Sequence, residues 1–266
     1  MSEELEGKHG VQSLEIGMTI LRAMVDGQRS MMLKDIAAAA DMPASKAHRY
    51  LVSLIRAGLV EQDPMSSRYD LGSFALNLGL VALDRLDRVR LGLNAIAEMR
   101  DEINQTTALA VWGDRGPVIV RWERPRRPIT VNVITGTVLD LLSSATGRVF
   151  AAWMPKKLVS PMINEELKNA RLPPELKSKA AVEAMLADVR AKGFAATNGQ
   201  HKVPGVEAVA APVFNFKNEI TMSVLVVGVQ GMFDISPEGE VVSSVKRHAE
   251  ALSLRLGASG EPKVPA

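Results

Sequence analysis

Residues 33–71 constrain the fold of this chain more than any other stretch, because they hold two short helical patterns, a tight turn between them and a hairpin directly after. Between 33 and 54 the apolar residues Ile36, Ala40, Met42, Ala47, Tyr50, Leu51 and Leu54 recur at helical spacing, broken by a turn at Ala40, Asp41 and Met42. That is the pattern of a helix-turn-helix. Ala37 is small where the first helix must approach the second. Pro43 can open the second helix because a first-turn N–H needs no intrahelical partner. Asp41 stands at a turn position where Gly is common.

The second helix, 43–57, sets Ala47, Tyr50, Leu51, Leu54 and Ile55 on one face and leaves Ser45, Lys46, His48, Arg49 and Arg56 elsewhere. No acidic residue interrupts 43–60. A cationic, hydrogen-bonding helix suits the DNA major groove, where Arg or Lys forks onto guanine O6 and N7 and Ser reaches base edges or phosphate. A solvated helix face explains the same charges, so charge alone leaves both readings open. Residues 59–62 and 68–72 then read as two short strands around Asp63, Pro64, Met65, Ser66 and Ser67. A hairpin placed directly after such a helix is the wing of a winged helix. Ser45, Lys46, His48 and Arg49 then lie near the groove, and Ser66, Ser67 and Arg68 touch backbone phosphates.

Several segments together carry a family resemblance: Val-Gln-Ser-Leu-Glu at 11–15, Leu-Lys-Asp-Ile-Ala at 33–37, Pro-Ala-Ser-Lys-Ala-His-Arg-Tyr-Leu at 43–51, Gly-Leu-Val-Glu-Gln-Asp-Pro at 58–64 and Arg-Tyr-Asp-Leu-Gly at 68–72. Ser-Ser-Ala-Thr-Gly-Arg at 143–148 and Val-Pro-Gly-Val-Glu-Ala-Val-Ala-Ala-Pro-Val-Phe at 203–214 extend it. The chain resembles the IclR family of bacterial transcriptional regulators to about residue 256. The resemblance implies an α+β organisation: a winged helix-turn-helix DNA-binding domain at 10–72, a linker helix at 73–87, a GAF-like α/β effector-binding and oligomerisation domain at 88–256, and a flexible tail at 257–266.

A chain of 266 residues is long enough for two domains with real cores, and an apolar fraction of 47% excludes general disorder. There is no cysteine, hence no disulfide, thiolate nucleophile or Cys-bound zinc. The acidic start, 1–10, is no secretory signal, and no run approaches the length of a membrane helix, so a cytoplasmic protein is expected. A net charge of +2 does not advertise nucleic-acid binding; that argument rests on local placement, since Glu3, Glu4, Glu6 and Glu15 dilute the total without lying on the basic helix.

In chain order, a first helix at 13–25 is expected to bury Leu14, Met18, Leu21 and Val25. After the wing, 73–87 is apolar nearly all round, with Phe74, Leu76, Leu78, Leu80, Val81 and Leu83, and so must be buried on more than one side. The resemblance assigns it to domain linkage and dimer contacts; burial within one domain is the other reading. A helix at 89–104 leads to a hairpin, 108–112 and 118–122, and to a strand at 129–134. The arginines of the loop 124–128 fit phosphate binding, solvation or a subunit contact. Helices at 144–153, 156–169 and 180–192, strands at 207–214 and 220–229, a closing helix at 237–256 and a mobile polar tail complete the reading.

Residues 141–147 put small and hydroxylated side chains at a helix N-terminus, where free N–H groups and the helix dipole favour a carboxylate. Capping explains Ser143 or Ser144 equally well. The resemblance places this segment in an effector pocket, with candidates Leu109, Val111, Val131, Leu142, Ser143, Ser144, Ala145, Thr146, Ala208, Ala210, Ser223 and Leu225. A one-residue error in strand facing would exchange them. Where relatives that bind small keto acids carry acidic, thiol and hydroxyl groups, this chain has Asn198, Ala208 and Leu225. That departure favours a larger, partly apolar ligand such as an aromatic carboxylate.

Enzyme signatures are sparse. The chain has no Gly-x-x-x-x-Gly-Lys-Ser/Thr phosphate loop and no His-Glu-x-x-His, and its histidines are His9, His48, His201 and His248. His201 in a Gly-Gln-His-Lys stretch could serve as a base, but a solvated loop histidine explains it as well. Glu175, Glu183 and Asp188 lie scattered among lysines without metal-ligand spacing. No catalytic residue, metal or cofactor is expected. Two readings remain: a regulator that binds a roughly palindromic double-stranded DNA operator as a homodimer or tetramer and responds to a small-molecule effector, or a DNA-binding protein whose C-terminal domain only assembles oligomers.

Overall fold

The computed structural model describes residues 10–126, 131, 134–168, 172–198 and 204–264, and the chain divides into two compact units, 1–86 and 87–266. In the first unit, α1 (Gln12–Asp26), α2 (Leu33–Ala39) and α3 (Ala44–Arg56) precede the two-stranded antiparallel hairpin β1 (Val60–Gln62) and β2 (Tyr69–Leu71), and α4 (Ser73–Asp84) closes it. Ile20, Leu21, Met24, Ile36, Ala47, Leu51, Leu54, Val60 and Tyr69 meet in one core. Asp41 holds the left-handed conformation at φ 48°, as a turn between two closely packed helices requires, and Met31 bridges to Tyr69 so that the hairpin is tied to the loop before α2.

Two stripes differ from the sequence expectation. On α1 the buried residues are Gly17, Ile20, Leu21 and Met24, whereas Leu14, Met18 and Val25 are exposed along with Val11. The helix carries two apolar stripes, and the core takes the one that holds Gly17, against which Tyr50 packs. On α3, Ala47, Leu51 and Leu54 are buried, Tyr50 packs at the margin, and Ile55 is exposed. Helix α4 ends at Asp84, and none of its residues is buried within the chain. Burial inside one domain is therefore not its role: Phe74, Leu76, Leu78, Leu80, Val81 and Leu83 all face outward.

The second unit is a five-stranded antiparallel sheet of order β4-β3-β7-β6-β5, built from β3 (Thr106–Gly113), β4 (Gly116–Glu123), β5 (Ala195–Asn198), β6 (Val206–Phe214) and β7 (Ile220–Val229). Strand β5 escaped the sequence reading because Ala-Ala-Thr-Asn carries little strand propensity. Helices α5 (Arg88–Ile103) and α9 (Glu240–Arg255) cover one face; α6 (Ala145–Trp153) and α8 (Lys179–Lys192) cover the other. Alternation along β3 sorts the two layers: Ala108 and Ala110 join the α6 core, while the Thr107 hydroxyl donates to Ile96 O of α5 at 2.7 Å and Leu109 packs on Gly92 of α5. An extra residue, Val120, bulges β4 opposite Leu109 and Ala110.

The expected strand at 129–134 lies largely outside the described residues; Val131 and Ile134 are not in a strand. The outer edge of β4 is instead paired by the next segment, with Ile119 N donating to Thr137 O and Leu139 N to Pro117 O. Helix α7 (Lys156–Glu166) stops short of the expected end. The segment read as a free tail is held: Asn218, in the β6–β7 turn, exchanges two hydrogen bonds with Ser259, and its carbonyl accepts from Lys263 N at 2.9 Å.

Candidate nucleic-acid interface and effector site

The turn at Asp41 and the extended backbone of Pro43 launch α3 so that its apolar stripe meets the core and the opposite side is free. Ser45, His48, Arg49 and Arg56 recur at helical spacing on that side and are exposed; Lys46 is half-buried on the flank. No described residue hydrogen-bonds or pairs with the side chains of Ser45, Lys46, His48 or Arg49. The face is cationic, unengaged and free of acids.

The wing is built around Asp63. Its carboxylate accepts from Met65 N at 2.7 Å and Ser66 N at 3.1 Å, its carbonyl accepts from Ser67 N, and the Gln62 side chain donates to Ser67 O. The Ser66 and Met65 backbone N–H groups hold the Asp63 carboxyl below its usual range. Ser67 reverses the chain at φ 57°. Arg68 is not wholly free for phosphate: its Nη1 donates to Ser30 O at 3.0 Å, bracing the wing against the loop before α2. Sequence reasoning missed both tethers, since neither Asp63 nor Ser30 stands out by type.

In the second unit the hydroxyls of Ser143, Ser144 and Ser223, three of the four proposed for an effector, are engaged. Ser143 Oγ donates to Asp140 Oδ2 at 2.9 Å; Ser144 Oγ donates to Asp140 O at 2.7 Å and accepts from Gly147 N at 2.9 Å as the α6 cap. Glu166 of α7 fixes the loop before this helix, its carboxylate accepting from Leu141 N at 2.6 Å and Leu142 N at 2.8 Å. Ser223 donates to Ala211 O at 3.0 Å. Arg148, one turn into α6, donates through Nε to Leu142 O at 2.8 Å and through Nη1 to Ala196 O at 3.1 Å, joining the α6 entry to β5.

The candidate list does not form one surface. Register puts Ala208, Ala210, Ser223 and Leu225 on the α6 side of the sheet, where Leu142 and Ala145 also pack, and Thr146 is buried in the same helix. Leu109 and Val111 face the α5 side, a one-residue exchange, so Ala108 and Ala110 take their place on the α6 face. Val131 is half-buried, and its neighbours 127–130 and 132–133 lie outside the described residues. Of the histidines, His9 and His201 lie outside the described residues, His48 is on the α3 face, and His248 approaches Glu102 at 3.0 Å beside Arg247. In the 124–128 loop, Arg124 stacks 4.9 Å over the Trp122 ring and Arg126 N donates to Asn104, while Arg127 and Pro128 are not among the described residues.

Comparison with known proteins meets this geometry at both ends. The model of the IclR helix-turn-helix domain matches residues 13–64, and that of the bacterial transcriptional regulator IclR C-terminal domain matches 81–254. The chain belongs to the IclR family of bacterial transcriptional regulators. It is similar to the glycerol operon regulatory protein of Streptomyces griseus, 32% identical over 257 residues covering 93% of this chain and 97% of that protein. Pseudomonas aeruginosa HmgR superposes with a TM-score of 0.82 at 39% identity, covering 94% of this chain and all of that one. An IclR homologue from Microbacterium hydrocarbonoxydans, solved in complex with 4-hydroxybenzoate, shares the fold at a TM-score of 0.53 and 18% identity, with 93% of this chain and all of that chain covered. This IclR-family protein is thus a DNA-binding transcriptional regulator of α+β fold. No described helix is long and apolar enough to cross a membrane.

Proposed function

We propose that this IclR-family regulator binds a roughly palindromic operator as a dimer, or a pair of dimers, and that a partly apolar carboxylate bound in the second unit sets its operator affinity. Ser45, His48 and Arg49 read the groove, Lys46 and the wing residues Ser66, Ser67 and Arg68 contact phosphate, and 73–87 links reading to sensing. The observation that carries the dimer is α4: six large apolar side chains stand exposed along its twelve residues, a surface that water disfavours by about 1.5 to 3 kcal/mol for each side chain covered. A second copy covering it gives the two-fold symmetry that a palindrome matches.

An apolar inner face supports the effector reading, with Asn198, Ala208 and Leu225 standing where keto-acid-binding relatives carry acidic, thiol and hydroxyl groups; the 4-hydroxybenzoate held by the Microbacterium homologue agrees with it. Regulation then requires a ligand that favours one arrangement of the dimer, and operator and ligand must alter each other's affinity by the same factor. Titrating operator binding with and without saturating aromatic carboxylates tests this. The internal use of Glu166, Ser143 and Ser144 favours the second reading, a C-terminal domain that only assembles oligomers; operator affinity unchanged by every ligand that binds would establish it.

A further inference from the structure

A cavity of about 410 Å³ opens in the second unit at the exit end of α6, away from the 141–148 entry, between α8, α9, the last residues of β6 and the 258–262 segment. Pro212, Phe214, Leu254 and Pro262 give it an apolar wall. Trp153, the last residue of α6, also lines it; the side chain is 4% exposed, and its ring meets Phe214 edge-on at 5.6 Å. Its indole N–H has no hydrogen-bond partner among the described residues and is not sealed from solvent, so it faces open space. A nearly buried donor in this position calls for an acceptor brought from outside. Arg190 of α8 donates through Nε to Ala152 O at 2.7 Å, which fixes its guanidinium plane and leaves both Nη groups without a described partner. Lys246 and Glu250 stand one turn apart on α9 and both line the cavity, yet no ion pair joins them, and Lys246 Nζ lies 5.9 Å from the centre of the Phe194 ring. Lys four residues before Glu is the weaker order for a helix pair. The Ser253 hydroxyl is spent, donating to Ala249 O at 2.7 Å and accepting from Phe214 N at 2.9 Å.

Charges of both signs beside an apolar wall decide which ligand fits. A plain carboxylate leaves Glu250 facing its charge, and a plain amine leaves Arg190 and the Trp153 N–H without an acceptor. We propose that this cavity binds an apolar α-amino acid: its carboxylate accepts from Arg190 and the Trp153 indole N–H, its ammonium donates to Glu250, and its side chain rests on Pro212, Phe214 and Leu254. The site is separate from the effector reading above and does not depend on it.

The test reads one atom of the site. The full chain, labelled with ¹⁵N-tryptophan, gives indole N–H resonances for Trp112, Trp122 and Trp153, and Trp153→Phe assigns the third. It is titrated with L-leucine, L-phenylalanine, 4-methylpentanoate, which is leucine without the ammonium, and 3-methylbutylamine, which is leucine without the carboxylate. The proposal expects a saturable shift of the Trp153 resonance with both amino acids, and L-leucine binding about tenfold tighter than 4-methylpentanoate or 3-methylbutylamine, as a hydrogen bond between charged groups gives. Glu250→Gln, a change at an exposed side chain, should weaken L-leucine about tenfold and leave 4-methylpentanoate as tight or tighter. No saturable shift at Trp153 with either amino acid overturns the site, as do shifts confined to Trp112 and Trp122. Equal affinity for L-leucine and 4-methylpentanoate, or L-leucine binding unchanged in Glu250→Gln, overturns the assignment to an amino acid. Because the readout is at Trp153 and not at DNA, failure here leaves the proposed function standing.

Discussion

Replacing Gly147 by Ala gives a stability change whose sign separates tertiary packing from helix propensity. Gly147 sits in the first turn of α6, where Ala for Gly would ordinarily stabilise a helix by about 1 kcal/mol. Here the added Cβ would overlap Asp140 O and stand 2.6 Å from Leu141 Cα and 2.7 Å from Asp140 C, all backbone atoms of the loop folded over the helix start. Relieving that overlap shifts the loop and strains the Ser144 cap and the two bonds to Glu166. Overpacking costs about 1 to 3 kcal/mol. A lost cap costs about 1 kcal/mol, and weakened charge-assisted bonds about as much again. Set against the propensity gain, the net loss is about 2 to 4 kcal/mol. Trp112, Trp122 and Trp153, the three tryptophans of the chain, all lie in the second unit, so urea unfolding followed by tryptophan fluorescence reports that unit directly. Ser144→Ala alongside should lose only about 1 kcal/mol. A Gly147→Ala protein as stable as wild type, or more so, would refute the reasoning.

Lys46→Ala should weaken operator binding nearly uniformly across sequences and lower the slope of log affinity against log salt by about one, as measured by anisotropy at several salt concentrations. Leu78→Asp, on the exposed α4 face, should leave the far-ultraviolet spectrum intact yet shift sedimentation from dimer toward monomer. Glu102 is held at about 2 from its ordinary 4.5, chiefly by Arg247 and then by His248 and Ser244. Its folded value is depressed, so its contribution is complete above about pH 4.5 and is lost as pH falls toward 2. Because its side chain is 38% exposed the contribution is under about 1 kcal/mol, and Glu102→Gln should flatten the fall of the urea midpoint across that window by a correspondingly small amount.

How much of this was legible in the sequence follows from the range of the forces involved. Helix α3 was readable because Pro43, a 3,4 stripe and an acid-free outer side act within a few residues. Helix α1 was misread by one stripe: Val11, Leu14, Met18 and Val25 compete with Ile20, Leu21 and Met24, and periodicity reports a stripe without saying which one the chain itself covers. The inner face of β3 was illegible for a related reason. Both of its sides are apolar, as in any strand buried between two helical layers, so nothing in Ala108, Leu109, Ala110 and Val111 says which pair faces α6. The α6 entry motif was visible as a cap, but Glu166 reaches it from 24 and 25 residues away and leaves no local mark. Arg148 stood inside a recognisable motif, and only the fold shows it bonded to the Leu142 and Ala196 carbonyls on the wall of a cavity.

Selection of bound duplexes from a random DNA pool, with wild type and Arg49→Ala side by side at one stated salt concentration, tests the central claim most directly. A symmetric face of two α3 helices predicts an enriched, roughly palindromic motif. Arg49→Ala should cost about 1 to 3 kcal/mol on it and relax the preference at the base pair it reads. Enrichment of no motif by the wild type, or the same motif with undiminished preference in Arg49→Ala, would contradict the reading of α3 as the element that reads sequence.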